Sequence, residues 1–223
     1  MSKKLVAASV VALAIAVGVV QTARASVIGY SWTGGTIAAS LETVGIEFTP
    51  NVDISIDALG VFDTAFLAAG GDGLMESHAI GLWQATGPLL VSTTVPSGTG
   101  ALLIDGFRFV SIGPVALHAG TAYRIGAFFD QKFSVAEGYA SDTDLALTGA
   151  PEISLTAATF LGFNGINLVF PSFTSSILTA PVNFLFTAAP TASAPEPPVL
   201  GLLGFGLAVI WARRALGRGG RSA

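Results

Sequence analysis

The sequence predicts an all-β protein, an antiparallel β-sandwich of jelly-roll or immunoglobulin-like kind. Three observations carry that reading. Apolar residues recur with a period of two along short segments. Turns marked by Gly and Pro fall about every ten residues, as they do in sandwiches. No window outside the two termini shows a helical period.

Taken in order, the chain opens on an export signal. Lys3 and Lys4 form a positive start, Leu5 to Val20 an unbroken apolar run, and Ala23-Arg24-Ala25 an A-x-A cleavage site. That combination is a secretory signal peptide over residues 1–25, with Ser26 as the expected mature N-terminus. A sandwich domain is expected over 26–187, a linker over 188–194, and a processing tail over 195–221.

Within the domain, Thr43 to Thr49 alternates, with Val44, Ile46 and Phe48 on one face and Gly45, Glu47 and Thr49 on the other. Val52, Ile54 and Ile56 repeat the period, and Ala58 to Phe62 continues as an apolar strand. His78 to Gln84 and Leu89 to Val95 flank the hairpin signal Ala85-Thr86-Gly87-Pro88. Gly106 to Ile112, Val115 to Leu117 and Tyr123 to Phe129 follow, the last two around the turn His118-Ala119-Gly120-Thr121. Ile166 to Phe170 and Val182 to Thr187 complete the expected strands. Ala188 to Pro198 is rich in Ala, Pro, Ser and Thr, which suits a semi-extended linker.

Composition narrows the function classes. The chain has no cysteine, which excludes disulfides, thiolate catalysis and Cys-ligated zinc. Between signal and tail the basic residues are Arg108, Arg124 and Lys132. Thirteen of the chain's 14 acidic residues stand against them, leaving that body ten charges negative. Nucleic acid draws its affinity from Lys and Arg on phosphates, so it is excluded as a partner. Calcium, neutral or cationic polymers and plain solubility are all compatible with an acidic exterior.

Few side chains point to chemistry. Gly70 to His78 gathers oxygen ligands, with Asp72 and Glu76 in the loop and Asp63 near its base. Carboxylates in a Gly-bent loop suit calcium, although Asp-Gly is also a common turn dipeptide. Asp142 and Asp144, with Glu137 upstream, make a second acidic loop. Trp83, at a strand end beside a hairpin, is the candidate for stacking a sugar, set against ordinary packing. His78 and His118 are the only histidines, and neither accompanies a G-x-S-x-G serine. There is no P-loop, dinucleotide fingerprint or HExxH.

The far end of the chain is the most informative. Pro195-Glu196-Pro197-Pro198 precedes the uncharged run Val199 to Ala212, and Arg213, Arg214, Arg218 and Arg221 follow. As a helix, residues 199–212 would span about 21 Å, short of the ~30 Å hydrocarbon core. Snorkelling Arg213 and Arg214 would absorb part of that mismatch and mark the cytoplasmic end, leaving the body outside. Pro-Glu-Pro, short apolar segment and basic tail resemble the sorting signal of the PEP-CTERM family of exported bacterial proteins. That resemblance implies an exosortase-type processing enzyme as partner, recognition at Pro195, Glu196 and Pro197, and a single transmembrane helix that anchors the chain transiently.

A second resemblance covers residues 43–129. Ala58-Leu59-Gly60-Val61-Phe62-Asp63, Gly81-Leu82-Trp83, Gly106-Phe107-Arg108-Phe109-Val110 and Ala119-Gly120-Thr121-Ala122-Tyr123 are similar to a recurrent exported β-sandwich module without an assigned activity. The expectation is a non-catalytic envelope or matrix component, delivered to the surface or to extracellular polysaccharide. A carbohydrate-binding module and a polysaccharide hydrolase are the alternatives. No cofactor is expected beyond calcium at Asp63, Asp72 and Glu76.

Overall fold

The computed structural model describes residues 25–38, 41–63, 73–130 and 138–188. The expected signal peptide, the tail with Pro195, Glu196, Pro197, Arg213 and Arg214, and Asp72 lie outside them. Every regular element among the described residues is a strand, and no helix there is long and apolar enough to cross a membrane.

Four antiparallel sheets form. The largest takes its strands from β4 (Leu41–Pro50), β6 (His78–Gln84), β7 (Leu89–Val95), β10 (Tyr123–Asp130), β13 (Ile153–Gly162) and β14 (Phe173–Ser175). Their order is β14-β13-β4-β10-β6-β7. The second joins β1 (Val27–Ile28), β5 (Ile54–Phe62), β8 (Leu102–Ile104), β9 (Phe107–Leu117) and β16 (Val182–Ala188), ordered β1-β16-β5-β9-β8. Two small sheets complete the set. One pairs β2 (Tyr30–Thr33) with β12 (Ala146–Gly149). The other joins β3 (Thr36–Ala38), β11 (Tyr139–Ser141) and β15 (Thr179–Ala180).

The two large sheets share one core, giving a β-sandwich-like all-β fold. Phe48 of β4 stacks on Phe184 of β16 at 4.4 Å between centroids, joining the sheets directly. Alternation is what builds this interior: Val44, Ile46 and Phe48 are buried on β4, as are Ile80 and Leu82 on β6. Gly29 makes room for the stack, since a Cβ there would meet the Phe184 ring at 2.5 Å.

Two corners carry the chain from one large sheet to the other. Between β4 and β5 the turn lies at Asn51-Val52-Asp53, and between β9 and β10 at His118 to Ala122. They are stapled together, because Ala119 N donates to Asp53 Oδ1 at 2.9 Å and Gly120 N to Pro50 O at 2.8 Å. The Tyr123 ring is buried, while its hydroxyl returns to accept from His118 N at 3.0 Å. This is the tyrosine corner of Greek-key sandwiches. Leucine through tyrosine in Leu117-His118-Ala119-Gly120-Thr121-Ala122-Tyr123 exists to make that reversal.

The expected strands His78–Gln84 and Leu89–Val95 occur with those bounds and form a hairpin. Three expectations are corrected. Gly106–Ile112 and Val115–Leu117 belong to one strand, β9, which runs through Pro114. Residues 112–114 face only Asp57 in a bulge, so the missing proline N–H costs no ladder bond. Ile166–Phe170 is an irregular covering segment and not a strand. β13, which lies between β14 and β4, occurs where no strand was expected.

The N-terminal strands are locked by a buried polar network. Asn183 Nδ2 donates to Tyr30 O at 2.8 Å, and Asn183 Oδ1 accepts from Phe184 N at 2.9 Å. The Tyr30 hydroxyl donates to Val182 O, and burial pushes its pKa well above the usual 10.0.

Candidate functional site

The outer face of the six-stranded sheet carries the molecule's most distinctive surface. Directly opposed residues on antiparallel strands point the same way. Glu47, Arg124 and Trp83 are therefore one row, Gly45, Gly126 and Gly81 the next, and Leu41 with Asp130 the last. Side chains are missing along the glycine row. Trp83 lies down into that space, such that a Cβ on Gly81 would meet its ring at 2.6 Å.

Residues 163–172 cross this face as a cover. Arg124 ties it to the sheet. Its Nε donates to Glu47 Oε2 at 2.8 Å, and its Nη1 to Pro171 O at 2.8 Å. The guanidinium lies 3.9 Å above the Phe160 ring and 5.1 Å from that of Phe170. Phe170 in turn meets Trp83 edge-on at 6.1 Å. Farther along, Val169 N donates to Thr43 Oγ1 at 3.0 Å. The cover then bends at Asn164, whose Oδ1 accepts from Ile166 N and Asn167 N, and at Gly165 with φ +70°.

Beyond Thr43 the cover stands off the sheet and leaves a cleft of about 590 Å³. Its floor is Leu41, Ala79 and Phe128. Glu76, Ser77 and Asp130 line it with Ile166, Asn167 and Leu168 of the cover. Two carboxylates, a hydroxyl and an amide over an apolar floor suit a neutral or cationic ligand that offers both hydroxyl groups and apolar faces.

The expected site residues are placed differently from one another. Trp83 is only 5% exposed, sealed beneath Phe170, and so offers no face to a sugar. That corrects its candidacy for stacking. Asp63 follows β5 directly, with its side chain 1% exposed, and accepts from Arg108 Nε at 2.8 Å. Arg108 also donates from Nη1 to Thr99 O and Ala101 O, both at 3.1 Å. Asp63 is thus the counter-ion of a buried arginine, and calcium drawing on it would have to displace that cation. Glu76 stands apart at the cleft, and among the described residues no three His, Asp or Glu side chains are grouped for a metal.

The second acidic loop is engaged locally. Asp144 Oδ1 accepts from Gly35 N at 3.1 Å, and Asp142 accepts from Thr36 Oγ1 at 3.2 Å. The Thr143 backbone amide, then the Thr143 and Thr36 hydroxyls, hold the Asp142 carboxyl below its usual range. His118 is an exposed turn residue 3.8 Å from Asp53. His78 is buried, with Nδ1 3.0 Å from Phe128 O.

Arg124 is the residue that sequence reasoning passed over. Its only signal was being a lone cation inside an apolar strand. Replacing it by Lys keeps the charge but loses the planar fork and the ring stacking. Arg124→Lys should cost about 1–2 kcal/mol, the scale of a largely desolvated cation–π contact. Limited proteolysis should then cut first within 163–172; an unchanged digestion pattern and melting temperature would show that the cover is held by other contacts.

A family model described as Domain of unknown function (DUF4082) matches residues 35–171. The match takes in every residue lining the cleft and ends at Pro171, the carbonyl that Arg124 holds. No curated protein and no solved structure matches the chain. With more than half its length inside that match, the chain belongs to the DUF4082 family.

Proposed function

We propose that this chain is an exported, non-catalytic envelope or matrix component, parked in the membrane by its C-terminal segment and released by processing at Pro195-Glu196-Pro197. The observation that carries the reading is the order of parts. The last described strand, β16, ends at Ala188, and a stretch rich in Ala, Pro, Ser and Thr, the Pro-Glu-Pro motif, a short apolar run and arginines follow in sequence. Prolines keep the motif extended and accessible to a protease. Arg213 and Arg214 hold the cytoplasmic end of the transmembrane segment 199–212, while Glu196 stays outside.

The acidic body supports delivery without catalysis. Arg108 and Arg124 are both engaged by carboxylates. Glu196→Ala should leave export and cleavage after Ala25 intact, yet trap full-length protein in the membrane fraction of a host with the matching processing enzyme. Fractionation and intact mass measure this. Processing as efficient as wild type would reduce the tail to a plain anchor.

A second reading, a carbohydrate-binding module, is favoured by the cleft between the cover and Phe128. Its polar groups match a neutral or amino sugar, and its apolar floor matches a pyranose face. Titration calorimetry with oligosaccharides of both kinds should give binding that Asn167→Ala weakens at least tenfold. Absence of heat from all of them would end this reading.

A further inference from the structure

We propose that two copies of this chain pair edge to edge through β7, joining their six-stranded sheets across a twofold axis. The inference goes beyond the sorting reading and does not depend on it. It begins from the edges of the sheets. A terminal strand leaves backbone N–H and C=O groups open to another strand, and proteins blunt such edges by shortness, charge or proline.

Here every other terminal strand of the four sheets is two to four residues long. By contrast β7 has seven residues, Leu89 to Val95, with neither charge nor proline among them. No strand among the described residues pairs with its outer side. A one-residue bulge at Leu90 disturbs its start, leaving Val91 to Val95 in regular register with β6. Val95 is buried and Thr93 half-buried toward the core, whereas Ser92 and Thr94 are exposed.

Charge identifies the occupant. The body carries a large negative excess, so most approaches of one copy to another set carboxylate against carboxylate. From Ala79 to Ile104 there is no charged residue at all. That stretch contains β6, β7 and β8, and β7 and β8 are the terminal strands of the two large sheets. Leu89, Leu90 and Leu102 are exposed along it, at 46%, 39% and 59%. A second copy meeting this stretch with its own brings no charges into opposition. Antiparallel pairing of a strand with itself is isologous, and the short opposite edge at β14 leaves nothing to propagate, so the product is a closed dimer.

The test uses the full-length chain, sized by sedimentation velocity across a concentration series. Wild type should dimerise. Ser92→Lys/Thr94→Lys and Ser92→Glu/Thr94→Glu change only exposed side chains, and each alone should raise the dimer dissociation constant at least tenfold without lowering the melting temperature at dilutions where wild type is itself monomeric. Mixing the two variants in equal amounts should restore the dimer, because each then meets the opposite charge. A monomeric wild type at every concentration, like-charged variants that dimerise as well as wild type, a mixture that stays monomeric, or open polymers would each overturn the proposal. Dimerisation through the C-terminal segment would survive the charges on β7 and is covered by the second of these results.

Discussion

The stack of Phe48 on Phe184 is the contact on which the rest of this structure depends. A chain without cysteine has no covalent means of holding two sheets together, so packing must do it. Phe48 belongs to the strand at the middle of one sheet and Phe184 to a strand between two others in the second. Around them the aromatic contacts continue, to Tyr123 on one side and Phe186 on the other. Truncating either ring to alanine removes burial worth about 3–5 kcal/mol, a large fraction of the 5–15 kcal/mol that holds an ordinary domain. The tyrosine corner and the Asn183 network then fix how the chain enters and leaves that core.

Electrostatics plays a different part. Arg108 and Arg124 are the only described basic side chains between signal and tail, and both work as internal clamps. A buried ion pair is a weak source of net stability but a demanding one geometrically. Arg108 fixes residues 99–101 against the end of β5. Arg124 fixes the cover against the outer face of the six-stranded sheet. The cleft follows from this second clamp, as the cover is pinned at Pro171 and Val169 and rises off the sheet beyond them. With Arg108 and Arg124 both used internally, the negative excess of the body is left to its exterior.

Much of the sandwich was legible because its strands obey the period of two. β6, β7 and their hairpin carry alternation or an apolar run bounded by turn residues, and their limits were readable directly. β13 was not, for a physical reason. Residues 156–158 oppose the single residue Glu47, and past that bulge the polar Thr159 opposes Ile46 on the core side while Phe160 lies under Arg124 on the outer face, so the apolar pattern inverts although the pairing does not. Thr156 uses that bulge to donate to Glu47 Oε1 at 3.3 Å. The segment Ile166 to Phe170 misled in the opposite sense, since its apolar side chains serve a cover that crosses the sheet. The candidate site was legible only in part. Glu76 lies at the cleft, whereas Trp83 and Asp63 are claimed by Phe170 and Arg108, partners distant in sequence that no local pattern announces. Asp130 and Asn167 meet across the cleft from segments 37 residues apart, and only the fold brings them together.

The central claim is that one shared core, with no covalent help, makes the two large sheets a single cooperative unit. Native-state hydrogen exchange tests it most directly, by comparing amides in β4 and β10 with those in β5 and β16. The account predicts a common opening free energy for the slowest amides of both sheets, equal to the global stability and lowered equally in both by Phe184→Leu. Sheets that open at clearly different free energies, or a Phe184→Leu effect confined to β5 and β16, would contradict it.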